Sequence, residues 1–304
     1  MQLKQLFFKI IYQPQVNYFL RNINYFFKPL FPKIQIPPSG ILSLKTDSGR
    51  IKLYTNQTSY LTQILFWKGY KEFEYSEIFE ELSKKITTFF DIGANIGYYA
   101  LLAARTNPTI KTYAFEPAFG PKYFLKKNIE SNEFNNIKAI DFALSNENSE
   151  IDFYEVKSKK YNYLKHNLSG ENNAGTKTKS RNFILNKVNS ITLENFIKNE
   201  NITSIDLIKI DTEGTEVVIL ESGEKFIKKF TPIVICETLF NTTEKELTGF
   251  FNNLDYLFYN HTKEGLVKVS TIIRAIDNGV RNCFFVPKNK EYLIKPFLAK
   301  ENII

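Results

Sequence analysis

The sequence contains few of the residues that build disulfide frameworks and metal cages. Among 304 residues there are two cysteines, Cys236 and Cys283, and two histidines, His166 and His261, and no CxxC pair occurs. Two thiols do not make a disulfide framework, so we expect a reducing, cytoplasmic location. The same count argues against a Cys/His metal site, and we predict no metal site.

Arginine is also scarce, although the chain is basic. The net charge is +8, from 40 basic and 32 acidic residues, and only six of the basic residues are arginine. Proteins that read phosphates and bases depend on the arginine fork, so we expect no nucleic-acid partner. Two explanations of the lysine excess stay open: a bias in base composition, or an anionic substrate or membrane surface.

No apolar run approaches the roughly 18 residues that a membrane-spanning helix needs. Residues 1–36 combine five basic residues with apolar residues at helical spacing, and no acid precedes Asp47. Proline at position 14 interrupts this pattern, and Pro29 and Pro32 end it. We expect helices that pack against the rest of the chain; peripheral contact with anionic lipid at the inner face of the membrane is the alternative.

The dinucleotide fingerprint GxGxxG and the phosphate-binding P-loop are both absent. In their place, residues 88–99 read TFFDIGANIGYY, an apolar strand followed by two glycines four residues apart and then a helix. Gly93 permits a sharp turn, and Gly97 permits close approach of the helix start. Asp91 lies at the carboxyl end of the strand, where open α/β sheets bind their ligands.

Other predicted strands also end in an acid. These acids are Glu116, Asp211 and Glu237, with Asp141 near the end of a further strand. Glu116, about 20 residues after the glycine turn, suits the two hydroxyls of a ribose. A cleft lined by carboxylates favours a ligand with a ribose and a sulfonium or ammonium charge. The sequence therefore predicts S-adenosylmethionine, which contains no phosphate and needs neither missing motif.

Strand and helix patterns alternate without a linker from about residue 71 to residue 287. This alternation predicts an α/β fold with a doubly wound, mostly parallel sheet. The predicted strands include 137–142, 151–156, 186–191 and 205–210, and the strands of the tail are expected to be antiparallel. A helix is predicted over 72–85 and a hairpin over 41–55. We divide the chain into an extension, residues 1–70, and a catalytic domain, residues 71–304.

A lysine-rich segment, residues 157–181, interrupts the alternation. A segment of this length is either functional, as a lid over an anionic acceptor, or a solvated surface loop, and both interpretations stay open. His166 lies here and is a candidate general base, although a loop histidine is more often a bystander.

Four motifs together resemble the FkbM-type methyltransferases. They are FDIGANIGYYA at 90–100, AFEP at 114–117, IKIDTEGTE at 208–216 and PIVICE at 232–237, and RNCFFVP at 281–287 is similar to that family's last strand. The resemblance covers residues 86–287. It implies a class I methyltransferase fold, Rossmann-like, with a seven-stranded sheet whose last strand is antiparallel. It also implies S-adenosylmethionine as cofactor and O-methylation of a sugar, glycolipid, polysaccharide or secondary metabolite.

The resemblance also implies roles for individual residues. Asp91, Gly93, Asn95 and Gly97 would shape the methionine side of the cofactor pocket, Glu116 would hold the ribose, and Asp141 and Phe142 would flank the adenine. Asp211 and Glu213 would face the transferred methyl, one of them as a candidate base, and Glu237 would orient the acceptor. Thr212 departs from the family pattern, in which an apolar β-branched residue is common. The alternatives are a nucleic-acid or protein methyltransferase and a non-catalytic binding module with this fold.

Overall fold

The computed structural model describes residues 2–168, 182–212 and 214–300. Its strands are β1 Gly40–Thr46, β2 Gly49–Thr55, β3 Thr88–Ile92, β4 Lys111–Phe115, β5 Ile137–Ile140, β6 Ala143–Ser145, β7 Glu150–Lys157, β8 Asn182–Thr192, β9 Leu207–Ile210, β10 Ile233–Glu237, β11 Tyr256–Thr262, β12 Gly265–Val269 and β13 Asn282–Pro287. Its α-helices are α1 Gln2–Ile11, α2 Pro14–Phe26, α3 Tyr60–Lys68, α4 Ser76–Ser83, α5 Tyr98–Thr106, α6 Phe119–Ser131, α7 Leu193–Asn199, α8 Glu216–Glu221, α9 Glu224–Phe230, α10 Glu244–Asn252 and α11 Glu291–Ile294. Short 3-10 turns cover Tyr70–Glu72, Lys288–Lys290 and Lys295–Phe297.

The central sheet has the strand order β12-β11-β13-β10-β9-β3-β4-β5. Strands β10, β9, β3, β4 and β5 are parallel, and β13 is antiparallel to β10. Because β11 is antiparallel to β13, it runs in the same direction as β10. The predicted fold class, an α/β, mostly parallel sheet with an antiparallel final strand, is confirmed. Strand β12 adds an eighth strand at the edge of the expected seven in the described part of the chain.

The central strands β3, β9, β10 and β13 are buried on both faces, and neighbouring residues point to opposite sides. Phe89 lies in the hydrophobic cluster on one face and Phe90 in the cluster on the other. The same alternation separates Phe284 from Phe285. The abundant aromatic residues therefore fill both layers between the sheet and its helices.

Two segments that we predicted as members of the alternating series form a separate sheet. Strand β7 pairs antiparallel with β8, and β6 pairs parallel with β8, in the order β6-β8-β7. The assignment of 151–156 and 186–191 to the central sheet is therefore wrong. Exposed and half-buried residues alternate along β7, which is typical of a strand with one face toward solvent rather than of a buried parallel strand.

Within residues 2–70 the chain forms three helices, α1, α2 and α3, and the predicted hairpin, β1 paired with β2. The apolar residues of the hairpin, among them Leu42, Ile51 and Leu53, belong to the same hydrophobic cluster as Phe89 of β3. The helix predicted over 72–85 begins later, at Ser76, because Tyr70–Glu72 forms a 3-10 turn and Glu74 adopts a positive φ of 45°. Among residues 2–168, 182–212 and 214–300, no helix is long and apolar enough to cross a membrane.

Candidate active site

A large cavity opens at the carboxyl ends of β3, β4, β9 and β10. Its volume is about 2470 Å³. Small-molecule sites usually occupy about 300–1,000 Å³, so the cavity has room for two ligands side by side. The strand ends contribute to its lining Gly93, Asn95, Glu116, Asp211, Thr212 and Glu237.

The turn after β3 requires glycine at two positions. Gly93 has a φ of 73°, and a Cβ at this position would lie 1.9 Å from the carbonyl oxygen of Asp211. The amide of Gly93 donates a 3.1 Å hydrogen bond to the carbonyl of Phe115. Gly97 has a φ of 86°, and its Cβ would lie 2.5 Å from a methyl group of Leu125. Glycine therefore allows the turn to lie against β9 on one side and α6 on the other.

Glu116 is buried at the end of β4 and is held in place by backbone amides. Its Oε2 accepts a 2.8 Å hydrogen bond from the amide of Asn95, and its Oε1 accepts a 2.9 Å bond from the amide of Ala118. Asn95 adopts the left-handed conformation, with a φ of 51°. Each carboxylate oxygen can accept more than one hydrogen bond, so Glu116 can also accept bonds from two hydroxyl groups of a ligand in the cavity.

Asp91 lies behind the glycine turn rather than in the cavity lining. It pairs in register with Lys209 of β9, and its Oδ1 lies 3.6 Å from the Lys209 Nζ. The Lys209 Nζ donates a 2.7 Å hydrogen bond to the carbonyl of Gly93 and lies 3.6 Å from Asp211 Oδ2. The other oxygen of Asp91 accepts a 3.1 Å bond from the amide of Ala100. A buried ammonium therefore links the ends of β3 and β9.

Burial and the neighbouring carboxylates change the pKa of Lys209 in opposite directions. Burial lowers the pKa of Lys209, but the carboxylates of Asp211, Asp91, Glu74 and Glu237 outweigh it, so the pKa is raised. Burial raises the pKa of Asp91 against the opposing effect of Lys209. Lys209 is therefore a permanent cation beneath the turn.

Glu74 brings a further carboxylate to the same cavity. Glu74 is exposed as a whole residue, its hydrogen bond with Tyr99 is partly buried, and desolvation of the carboxyl group raises the pKa of Glu74 to about 7. The Tyr99 hydroxyl donates a 2.8 Å hydrogen bond to Glu74 Oε2, and the Tyr99 ring stacks on Tyr75 at 4.9 Å. A carboxyl group that titrates near neutral pH and faces a cavity suits general base catalysis.

Among the predicted base and acceptor residues, Asp211 and Glu237 line the cavity. The turn after Asp211 is closed by Glu216, whose Oε1 accepts 3.0 Å hydrogen bonds from the amides of Thr212 and Gly214. The predicted residue Glu213 lies outside the described residues.

Of the remaining predicted residues His166, Asp141 and Phe142, only Phe142 lines the cavity. His166 stacks on Tyr123, with ring centroids 4.0 Å apart, and burial lowers its pKa. His166 and Asp141 are not in the lining of the cavity as described, and Asp141 pairs with Lys126 at 2.7 Å. Phe142, by contrast, lines the cavity. Of the two residues that we predicted to flank the adenine, Phe142 therefore lies in the cavity lining and Asp141 lies outside it.

The residues present fit S-adenosylmethionine. Glu116 supplies a fixed carboxylate for hydroxyl groups, Phe142 supplies an apolar ring, and the glycine turn leaves its backbone open to the cavity. The Asp91 Oδ1 accepts no hydrogen bond from the described residues and lies 3.6 Å from the Lys209 Nζ, so Asp91 supports the turn from outside the cavity lining. Cations also line the cavity, among them Lys68, Lys71, Lys263, Arg281 and Lys300. The cavity is therefore of mixed charge, and its carboxylates are not confined to the strand ends, since Glu74 and Asp152 also line it.

Sequence reasoning missed Glu74, Lys209 and His261 as site residues. Glu74 and His261 line the cavity, and burial lowers the pKa of His261. Glu74 fell inside a predicted helix, so no local pattern distinguished it. Lys209 could have been found from the sequence, because a lysine within the predicted buried strand 205–210 needs a charged partner.

Comparison with known proteins identifies a family. The model of the family described as the methyltransferase FkbM domain matches residues 91–262, more than half of the chain. No curated protein matches the chain.

Three solved structures illustrate the likeness in fold. The methyltransferase FkbM from Methylobacillus flagellatus is 13% identical with a TM-score of 0.43, and the match covers 66% of this chain and 43% of that one. TYW2 from M. jannaschii, solved in complex with AdoMet, is 13% identical with a TM-score of 0.39, over 83% of this chain and 87% of that one. A SAM-dependent methyltransferase from Agrobacterium tumefaciens is 8% identical with a TM-score of 0.41, over 84% and 71%. The chain spans less than half the length of the Methylobacillus protein, and none of these likenesses carries an argument about substrate.

Proposed function

This chain belongs to the FkbM methyltransferase family, and from that premise we propose that it is an S-adenosylmethionine-dependent O-methyltransferase. The proposed acceptor is a hydroxyl group of a sugar, glycolipid, polysaccharide or secondary metabolite. The observation that supports this most is the fixed carboxylate of Glu116 beside the glycine turn, at the mouth of a cavity with room for a second ligand.

S-adenosylmethionine is the methyl donor of such enzymes, and the cofactor prediction is confirmed at the level of the family. We assign the ribose to Glu116, the methionine side to the turn that contains Gly93 and Asn95, and one face of the adenine to Phe142. Asp141 is assigned a smaller part, because Lys126 already pairs with it. When bound, the cofactor supplies a methyl group on a good leaving group, so the protein mainly aligns the acceptor and removes its proton.

Glu74 is our first candidate for the base that takes the proton of the acceptor hydroxyl. It faces the cavity and its pKa is raised to about 7, so about half of it is ionised at neutral pH. Asp211 remains the second candidate, because it lines the cavity and its Oδ2 lies 3.6 Å from the Lys209 Nζ. Glu237, at the end of β10 in the same lining, is proposed to orient the acceptor.

A methyl-transfer assay tests the proposal. The purified chain is incubated with S-adenosylmethionine that carries a labelled methyl group and with a panel of hydroxyl acceptors that includes sugars and lipid-linked sugars. A nucleic-acid duplex and a protein are included as competing acceptors. We expect label in an alkali-stable methyl ether of a hydroxyl acceptor, with S-adenosylhomocysteine formed in equal amount. Label in the duplex or the protein alone would reject the O-methyltransferase assignment. Failure to bind S-adenosylmethionine would favour a non-catalytic module.

A further inference from the structure

The second helix, α2, buries polar residues and exposes apolar ones, the reverse of the usual pattern in a globular domain. Its buried residues are Asn17 and Arg21. Arg21 donates hydrogen bonds to Asn17 Oδ1 at 3.1 Å and to the carbonyl of Ser39 at 2.8 Å. Asn24, one turn further on, donates to the carbonyl of Ile34 at 3.1 Å. Polar side chains at positions 17, 21 and 24 therefore attach this helix to the chain that follows it.

The opposite face of α2 is apolar and exposed. Phe19, Ile23 and Phe26 recur at spacings of four and three residues, and Phe26 is 76% exposed. By contrast, α4 buries Phe79 and Leu82 against the core. A helix that hides its polar residues and exposes its aromatic ones is suited to an apolar environment outside the chain.

Helix α1 and the segment after α2 continue this exposure. In α1, Leu3, Phe7 and Ile10 follow the same spacing and are exposed, Leu3 by 87%. After α2, Leu30 and Phe31 are exposed as well. We call this set the N-terminal apolar surface; its members are Leu3, Leu6, Phe7, Ile10, Phe19, Ile23, Phe26, Leu30 and Phe31.

The charged residues of the segment that carries this surface are all basic. Lys4, Lys9 and Lys33 are exposed, and no acidic residue occurs before Asp47. Short helices with an exposed apolar face and lysines nearby in the chain are typical of segments that lie in the interface of an anionic bilayer. The apolar residues enter the boundary between headgroups and acyl chains, and the ammonium groups contact lipid phosphates.

We propose that the N-terminal apolar surface binds an anionic lipid bilayer, with α1 and α2 lying in its interface. The charge complementarity between the lysines and anionic headgroups selects this occupant over a second copy of the chain, whose corresponding surface carries the same positive charge. The proposal does not depend on the methyl-transfer activity.

The segment that carries this surface is hydrogen-bonded to segments that contribute residues to the cavity lining. The Lys28 Nζ donates a 2.8 Å hydrogen bond to the carbonyl of Trp67 in α3, and α3 contributes Ile64 and Lys68 to the cavity lining. On α1, Gln5 donates a 3.0 Å bond to the carbonyl of Lys160, which precedes the lining residue Asn167. Bilayer binding would therefore act on elements that shape the cavity.

Co-sedimentation of the full chain with vesicles tests the proposal. We expect binding to vesicles rich in phosphatidylglycerol, weaker binding to pure phosphatidylcholine, and weakening with salt. The variant Phe7→Ser/Phe19→Ser/Phe26→Ser should lose roughly a thousandfold in partition coefficient, because each of the three phenylalanines contributes roughly tenfold when buried in the bilayer. Replacing Lys4, Lys9 and Lys33 by glutamine should cost roughly fivefold per residue on the anionic vesicles only.

Tyr292→Ser is the matched control, because Tyr292 is an aromatic residue 67% exposed on α11. Its partition coefficient should equal that of the original chain, and circular dichroism should show that all variants are folded. Equal binding of the triple serine variant and the control would overturn the proposal. So would equal binding to both kinds of vesicle, or lipid-independent dimerisation through the same phenylalanines in sedimentation velocity.

Discussion

Removing the ammonium of Lys209 should destabilise the fold in a pH-dependent way. In Lys209→Met the buried Asp91 loses the cation at 3.6 Å, and the carbonyl of Gly93 loses its 2.7 Å donor. Asp91 keeps the hydrogen bond from the amide of Ala100. Removing one partner of a buried ion pair costs about 3–5 kcal/mol, because the other charge remains in a poorly solvating place.

Protonation of Asp91 limits this cost. An aspartate with an unfolded pKa of about 3.9 is neutralised at pH 7 for about 4 kcal/mol, and at pH 5 for about 1.5 kcal/mol. The folded variant then binds one more proton than the unfolded chain, so its stability falls as pH rises, by up to about 1.4 kcal/mol per unit. We therefore expect the difference from the original chain to be about 3–4 kcal/mol at pH 7 and to shrink toward pH 5.

Urea denaturation at both pH values, followed by circular dichroism, measures these differences. Two controls isolate the cause. Asp91→Asn/Lys209→Met should recover part of the loss, because no buried charge is left without a partner; Asp211, which also loses Lys209, is 40% exposed. Lys71→Met removes a lysine that pairs at the surface with Asp47 and Glu77, so it should cost less than about 1 kcal/mol. A loss that is independent of pH, or a double variant less stable than the single one, would refute this reasoning.

Three further predictions concern the cavity. Glu116→Gln should weaken S-adenosylmethionine binding by about 1–3 kcal/mol in calorimetry through loss of charge-assisted bonds; the exposed control Glu246→Gln should not, and equal affinities would remove the ribose assignment. Below about pH 7 the turnover number should fall roughly tenfold per pH unit as the Glu74 base is protonated. Glu74→Gln should lower turnover about 10²–10⁴-fold and abolish this pH dependence. If the same fall in turnover at low pH persists in the variant, Glu74 is not the base. Gly93→Ala places a Cβ 1.9 Å from a backbone oxygen, so it should cost more stability in thermal unfolding than Gly69→Ala, which also has a positive φ but nothing within 4 Å. At Gly69 the strain of a backbone conformation with φ 94° and ψ 166°, roughly 1–3 kcal/mol for a residue other than glycine, acts alone. Equal losses in the two variants would contradict the clash at Gly93.

The sequence predicted the parts of this site that local chemistry determines. A buried strand, a glycine turn and an acid are contiguous along the chain, so β3, Gly93 and Asp91 were recognisable without any tertiary information. The position of Glu116 followed from the regular spacing of strand and helix. These features depend on backbone conformation and on the direction of parallel strands, which sequence patterns carry well.

Features that depend on pairing across the chain were not predictable in the same way. The ion pair of Asp91 with Lys209 follows from the register of β3 against β9, which no local pattern specifies. The separate sheet needs β7 and β8 to meet across a long segment, and β7 alone resembles any amphipathic strand. Glu74 reaches the cavity because a left-handed residue interrupts a predicted helix. The inverted face of α2 became visible only once the buried polar contacts of Asn17 and Arg21 were known.

A crystal structure of the chain with S-adenosylhomocysteine tests the central claim most directly. The account predicts the ribose hydroxyls within hydrogen-bonding distance of the Glu116 carboxylate, and the thioether sulfur beside the turn that contains Gly93 and Asn95. The space between Glu74 and Asp211 should remain open for an acceptor. A cavity without the nucleoside at saturating concentration, or a nucleoside bound away from Glu116, would contradict it.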